Sequence, residues 1–186
     1  SILPIINLIE RFNLEIFDIQ KQSVHGGTLR IFISKKNNFN IKDNVNKFIK
    51  LEYEFGINNI KTYDKFSDDV QNLKNKIKEL LHKLKNEKKS LFGYGASAKG
   101  NVLLNYCNID YNILDYVVDT TPLKQGKFTP GTHIPILSSE KISDKGNNDV
   151  GLLLAWNYES EILKKEKSFR SKGGKFLIPI PFPILK

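Results

Sequence analysis

Apolar residues in the first thirteen positions recur at Leu3, Ile6, Ile9 and Phe12, a spacing that predicts a short amphipathic helix over 2–13. Leu14, Ile16 and Ile19 then mix with polar residues as in a strand. Residues 28–33 alternate Leu29, Ile31 and Ile33 against Arg30 and Phe32. Between these two stretches His25-Gly26-Gly27 supplies a turn, since glycine takes positive φ without steric penalty. A helix and one hairpin cannot bury an apolar face unaided, so residues 1–34 read as the end of a larger sheet.

A polar linker over 35–44 leads into two expected helices, about 43–55 and 64–88. In the second, Phe66, Val70, Leu73, Ile77, Leu80 and Leu84 form a heptad-like stripe among Lys and Glu. It spans fewer than three heptads, which favours a long helix laid across a domain over a dimerising coiled coil. From Ser90 the pattern becomes strand–helix–strand. SLFGYG runs into a helix SAKGNVLLNYC, ILDYVVD reads as a buried strand, and a Gly/Pro-rich loop covers 120–132. IPIL, VGLLLAW and KFLIPI read as further strands, with a helix at about 158–171 between the last two. Continuous apolar strands alternating with helices indicate an α/β fold: a Rossmann-like, mostly parallel sheet with helices on both faces. The expected division is a helix-hairpin tail of an upstream domain (1–34), a helical linker (35–89) and the Rossmann-like domain (90–186).

Charge changes this picture little. The 186 residues carry a formal net charge of +9, but the excess is Lys rather than Arg. Residues 35–89 hold 14 cations against 8 anions and residues 164–186 hold 7 against 1, whereas 90–163 hold 5 against 8. A nucleic-acid surface would interleave Arg and aromatics with its charge, so a solvated Lys face is the better reading and no nucleic-acid partner is expected. One cysteine excludes a disulfide framework or a Cys-based zinc site within this chain and fits a reducing, cytoplasmic setting. No apolar run has membrane-spanning length. The chain contains no Met, which suggests a processed start or a piece of something longer.

The strongest chemical motif is Gly93-Tyr94-Gly95-Ala96-Ser97-Ala98-Lys99-Gly100, placed between an expected strand and an expected helix. There G-x-G-x-x-A has physical content: Gly93 permits a tight turn, Gly95 lets the backbone approach a bound group, and Ala98 allows close helix–strand packing. First-turn N–H groups then face an anion, with Ser97 as a hydroxyl donor, Lys99 as a cation and Asn101 in the turn that follows. The alternative is a merely tight turn. Asp119 closes the next strand, where an acid accepts from ribose hydroxyls or else orders the following loop. Lys124 and Gln125 offer a cation and an amide at the sheet's C-terminal edge, and His133 starts the next strand. His25, Gly26 and Arg30 are possible cleft residues. Cys107 reads as a small core residue and His82 as solvated. No residue is a convincing general base.

Four segments together resemble a known family: HGGTLRIFI (25–33), LFGYGASAKGNVLLNYCNI (91–109), DYVVDTTPLKQGKFTPGTHIPI (115–136) and FLIPIPFP (176–183). They are similar to the C-terminal portion of SAM-dependent C-methyltransferases that act on nucleotide-linked 4-keto deoxysugars. The resemblance implies an upstream zinc-binding module and an upstream SAM-binding domain, to which 1–34 contributes the closing helix and hairpin. It also implies that the catalytic cluster lies upstream, that SAM and zinc serve the whole enzyme at sites outside this chain, and that nothing but substrate binds here. The loop Gly93–Gly100 would hold the pyrophosphate of a nucleotide sugar, a TDP-sugar. The implied whole-enzyme reaction is proton abstraction beside the keto group, then attack of the enolate carbon on the SAM methyl. The chain alone should be catalytically silent. Two rivals are an NAD(P)-binding domain of an oxidoreductase, built on the same loop and Asp119, and a non-enzymatic oligomerisation module built on the 66–84 stripe.

Overall fold

The computed structural model describes residues 1–186, apart from the side chain of His25. Ser1–Asp68 and Asp69–Lys186 form two compact units.

In the first unit, helix α1 (Leu3–Ile9) continues as a 3-10 turn to Phe12, and Asn13 in the left-handed region redirects the chain. Strands β1 (Leu14–Gln22) and β2 (Thr28–Lys35) pair antiparallel across the glycine turn. Helix α2 (Asp43–Phe55) supplies the cover the hairpin lacks: Val45 joins Ile2, Ile9, Ile16 and Ile19 in one buried cluster. It also caps α1, because the Glu52 carboxylate accepts the Ile2 and Leu3 N–H groups at 2.6 and 2.9 Å. Those are donors that a helix start cannot satisfy internally. One expectation fails here. Ile33 is exposed although its register partner Ile16 is buried, next to an irregularity in β1 between Ile16 and Asp18.

Helix α3 (Ile60–Asn86) contains the boundary between units and starts four residues earlier than its apolar stripe suggested, with Asn59 Oδ1 accepting the Lys61 N–H. Within the second unit Ile77, Leu81 and Leu84 are buried, with Leu73 and Leu80 packed beside them. Strands β3 (Ser90–Tyr94), β4 (Val117–Asp119), β5 (Ile136–Ser138), β6 (Asp149–Leu153), β7 (Lys175–Ile178) and β8 (Ile184–Leu185) form one sheet in the order β5-β4-β3-β6-β7-β8. The first five are mutually parallel and β8 returns antiparallel to β7. The chain therefore winds outward from β3 to one side, crosses back and builds β6 and β7 on the other.

Each face is covered. Leu91, Val150, Leu152 and Leu177 join α3 and helix α4 (Ala98–Cys107) in one core. Phe92, Tyr94, Leu153, Phe176 and Ile178 form the other with Phe169, Ile162 and Leu163 of helices α5 (Glu159–Lys165) and α6 (Lys167–Ser171). This is the expected α/β fold, a Rossmann-like and mostly parallel sheet sandwiched by helices.

Three boundaries differ from expectation. The strand expected over 113–119 is regular only at Val117–Asp119, although Asp115 and Tyr116 already bond to Leu91 and Gly93 of β3. The Asp110 carbonyl draws the Ile113 and Leu114 N–H groups into a turn, and its Oδ1 takes that of Asn112. The helix expected at 158–171 is two, broken at Glu166. The final apolar run yields β7 and a separate, unexpected β8. Among the described residues no helix is long and apolar enough to cross a membrane.

Candidate functional site: a divided cleft at the C-terminal edge of the sheet

Strand β3 delivers the glycine motif to the point where the winding reverses, between β3 and β6. In open α/β sheets the crevice at such a point is where ligands bind. Gly93 sits where a Cβ would meet Val117 Cγ2 at 2.8 Å, so β3 and its neighbours require the missing side chain. Gly95 has φ +87°, and a Cβ there would lie 2.9 Å from that of Ala155. The close helix–strand approach belongs to Gly100, whose Cβ would fall 2.5 Å from Leu154 Cβ. Ala98, assigned that role from sequence, is exposed instead.

The anion site expected from the loop is largely occupied by the protein itself. Ser97 is the N-cap of α4, its Oγ accepting the Gly100 N–H at 3.0 Å and donating to the Leu154 carbonyl at 2.9 Å. Its proton is therefore committed, and Ser97 is not the free hydroxyl donor anticipated. The Ala96 N–H donates to Asp119 Oδ2 at 2.7 Å, and those of Ser97 and Asn101 have backbone acceptors in Gly95 and Ser97. Asp119 Oδ1 takes the Thr121 N–H at 2.8 Å, and Lys124 Nζ bridges Asp119 Oδ2 at 3.3 Å and the Ala96 carbonyl at 3.0 Å. Gln125 Nε2 donates to the Asp119 carbonyl. Of the two uses left open for Asp119, the geometry carries the loop-ordering one. Burial pushes its carboxyl up, but the Thr121 and Ala96 donors and the Lys124 charge outweigh that and hold it below the ordinary carboxylate value.

Tyr94 borders the larger of the two cavities described below. Its ring belongs to the α5–α6 core and its hydroxyl donates to Glu166 at 2.6 Å. Burial first, and then the Glu166 carboxylate, push that hydroxyl far above its ordinary pKa, so it holds its proton. Asn101 is half-buried with Oδ1 lacking a hydrogen-bond partner. Lys99 is exposed in the first turn of α4. His133 is exposed in the left-handed region, held by its N–H to the Thr129 carbonyl, and lines neither cavity described below. In the other unit Gly26 forms the hairpin turn with φ +83° and Arg30 is exposed on β2, while the His25 side chain lies outside the described residues. Cys107 is buried and its thiol is pushed up by that burial. Among the described residues no group of three or more His, Cys, Asp or Glu is placed to hold a metal ion.

Two cavities open on either side of this lock, and Ser97 and Lys124 line both. One, of about 310 Å³, is lined mostly by polar and charged residues and runs from Gly95 and Asp119 to Tyr158, Glu161 and Lys165. The other, of about 220 Å³, is an apolar slot between α4 and the loop after β4, walled by Asn101, Leu104, Leu123, Phe128, Pro130 and Ile136. Asn105 fastens that loop, donating from Nδ2 to the Pro130 carbonyl. Neither Phe128 and Leu123 nor the three α5-side residues were singled out from sequence. The first two carried a signal, as large apolar side chains in an otherwise polar loop. The others did not, because only the sheet order brings them beside β3.

Residues 23–181 match a family model described as the C-methyltransferase C-terminal domain. The chain is also 36% identical over 184 residues to the C-methyltransferase NovU of Streptomyces niveus, an alignment covering 98% of this chain and 44% of that protein. It thus spans less than half the length of this relative.

Proposed function

This chain belongs to the C-methyltransferase C-terminal domain family, and from that premise we propose that it is the substrate-binding part of a SAM-dependent C-methyltransferase acting on a nucleotide-linked keto-deoxysugar, with TDP as the nucleotide. The observation that carries the reading is the cleft at the winding reversal, where Lys124 lines two cavities, one walled mostly by polar and charged residues and the other mostly by apolar ones. A diphosphate linking a nucleoside to a sugar has this division: anionic in the middle, planar and apolar at one end, hydroxylated at the other.

Lys124 holds the diphosphate beside the start of α4, where the Ala96, Ser97, Gly100 and Asn101 N–H groups keep their acceptors within the chain. Lys124 exchanges its contact with Asp119 for the ligand, and Asp119 keeps the amide donors of Ala96 and Thr121, so the loop stays shaped. The chain's contribution is positioning, which holds the reacting carbon in place and can supply a large share of a rate enhancement. In the whole enzyme SAM supplies the methyl group, at a site contributed by upstream domains together with the helix and hairpin of 1–34. Among the described residues no ligand set for zinc is present, and the single cysteine is buried and protonated. That metal too belongs upstream, and the enzyme works in the cytoplasm.

Calorimetric titration of the chain with TDP tests the reading. Binding in the micromolar to millimolar range is expected, and no heat at millimolar ligand overturns it. Incubation with SAM and a TDP-keto-sugar should give no methyl transfer.

A further inference from the structure

The two cavities differ in more than polarity. Leu123 is 80% and Phe128 60% exposed, the side chains of a loop that is otherwise tightly held. The Gly126 N–H donates to the Ile136 carbonyl, that of Ile136 to Lys127, and that of Thr129 to Ile134, at 2.8–2.9 Å. Phe128 is therefore presented to solvent by a fixed backbone. Exposing a large ring at the mouth of an apolar slot forgoes burial, which a ligand can restore.

Volume constrains what that ligand is. Pockets for whole small-molecule ligands run to roughly 300–1,000 Å³. The slot, at about 220 Å³, lies below that range and takes a ring system rather than an entire nucleotide sugar. Sugar hydroxyls buried in it would meet mostly apolar groups, at the cost of their hydrogen bonds with water. A flat heterocycle has no such penalty on its faces. Lys124, Lys127 and Asn101 also line the slot, and Asn101 has an unused carboxamide acceptor.

Resting on the reading of the cleft as a nucleotide-sugar site, we propose that the apolar slot seats the nucleobase, stacked on Phe128, and so fixes the direction of the ligand. The base lies between α4 and the loop 123–130, the diphosphate crosses at Lys124, and the sugar enters the polar crevice toward Tyr158, Glu161 and Lys165. The last three residues are then sugar-side contacts.

The test compares the chain with its Phe128→Ala variant by calorimetry and by saturation-transfer NMR, using TDP and inorganic pyrophosphate as probes. Phe128 is exposed, so the variant should fold, and circular dichroism checks that. In the parent chain saturation should be strongest on the thymine H6 and methyl protons. The variant should bind TDP about tenfold or more weakly, the usual loss when a base loses its aromatic platform, while pyrophosphate binds both proteins equally. If TDP binds but its base protons are not saturated, or the variant binds it as well as the parent, the slot assignment is wrong and the nucleotide reading survives. An equal loss for TDP and pyrophosphate would mean that Phe128 supports the loop, and also overturns the assignment. No binding of TDP to the parent at millimolar concentration overturns both readings.

Discussion

Asp119 shows how one side chain can be right in place and different in use. It closes its strand where the glycine motif leads one to look for an acid, yet it accepts from Ala96, Thr121 and Lys124 inside the chain. The Asp119→Ala variant should lose about 1–3 kcal/mol in urea denaturation, because donors to a charged acceptor are left without it. Since the native carboxyl is held below its ordinary value, its stabilisation is complete above the unfolded value near pH 4 and fades as pH falls through the native one. The gap between parent and variant should therefore be full at pH 7 and close on acidification; a gap independent of pH would rule out the ionised role. Tyr94 is a second case. Lying between two glycines it looked like part of the loop, but strand alternation places it with Phe92 in the core. Tyr94→Phe should cost about 1–3 kcal/mol, read as a lowered Tm, because Glu166 is then buried without its donor.

Among the elements, the parallel strands were legible as apolar runs, and α4 as the helix that follows the glycine motif. The stripe on α3 was legible only in part. A 3.5-residue repeat pointed to Phe66 and Val70 and passed over Leu81, whereas a straight helix keeps 3.6 residues per turn and buries Ile77, Leu81 and Leu84. Leu81→Ala should cost about 2–5 kcal/mol, while Phe66→Ala, at a 66% exposed residue, should stay within about 0.5 kcal/mol. Equal losses at the two sites would revive the coiled-coil stripe. Gly100→Ala addresses the contact between α4 and β6. With its Cβ 2.5 Å from that of Leu154, the variant should lose about 1–3 kcal/mol by thermal melting. The break at Glu166 and strand β8 were not legible, since one answers to a tyrosine 72 residues away and the other to the edge of β7.

At the scale of the molecule, the change of pattern at Ser90 was visible, but it is not where the two compact units divide. The second unit begins at Asp69 because the last turns of α3 cover one face of its sheet. A fragment of residues 69–186 contains both sheet cores and should unfold in one cooperative transition; a gradual loss of near-ultraviolet circular dichroism would contradict that. Strand β3 lies between parallel partners, and β6 likewise, whereas the loop after β4 is tied to the outermost strand, β5, by the Gly126–Ile136 and Ile136–Lys127 bonds and by the buried Thr129. In deuterated solvent the amides of Phe92 and Leu152 should exchange only when the whole unit opens, and that of Gly126, at the margin of the sheet, sooner. The cleft thus has one wall at the centre of the sheet and one at its margin, both held by backbone bonds. A ligand between them meets a surface shaped before it arrives, so little ordering of the chain should oppose its binding.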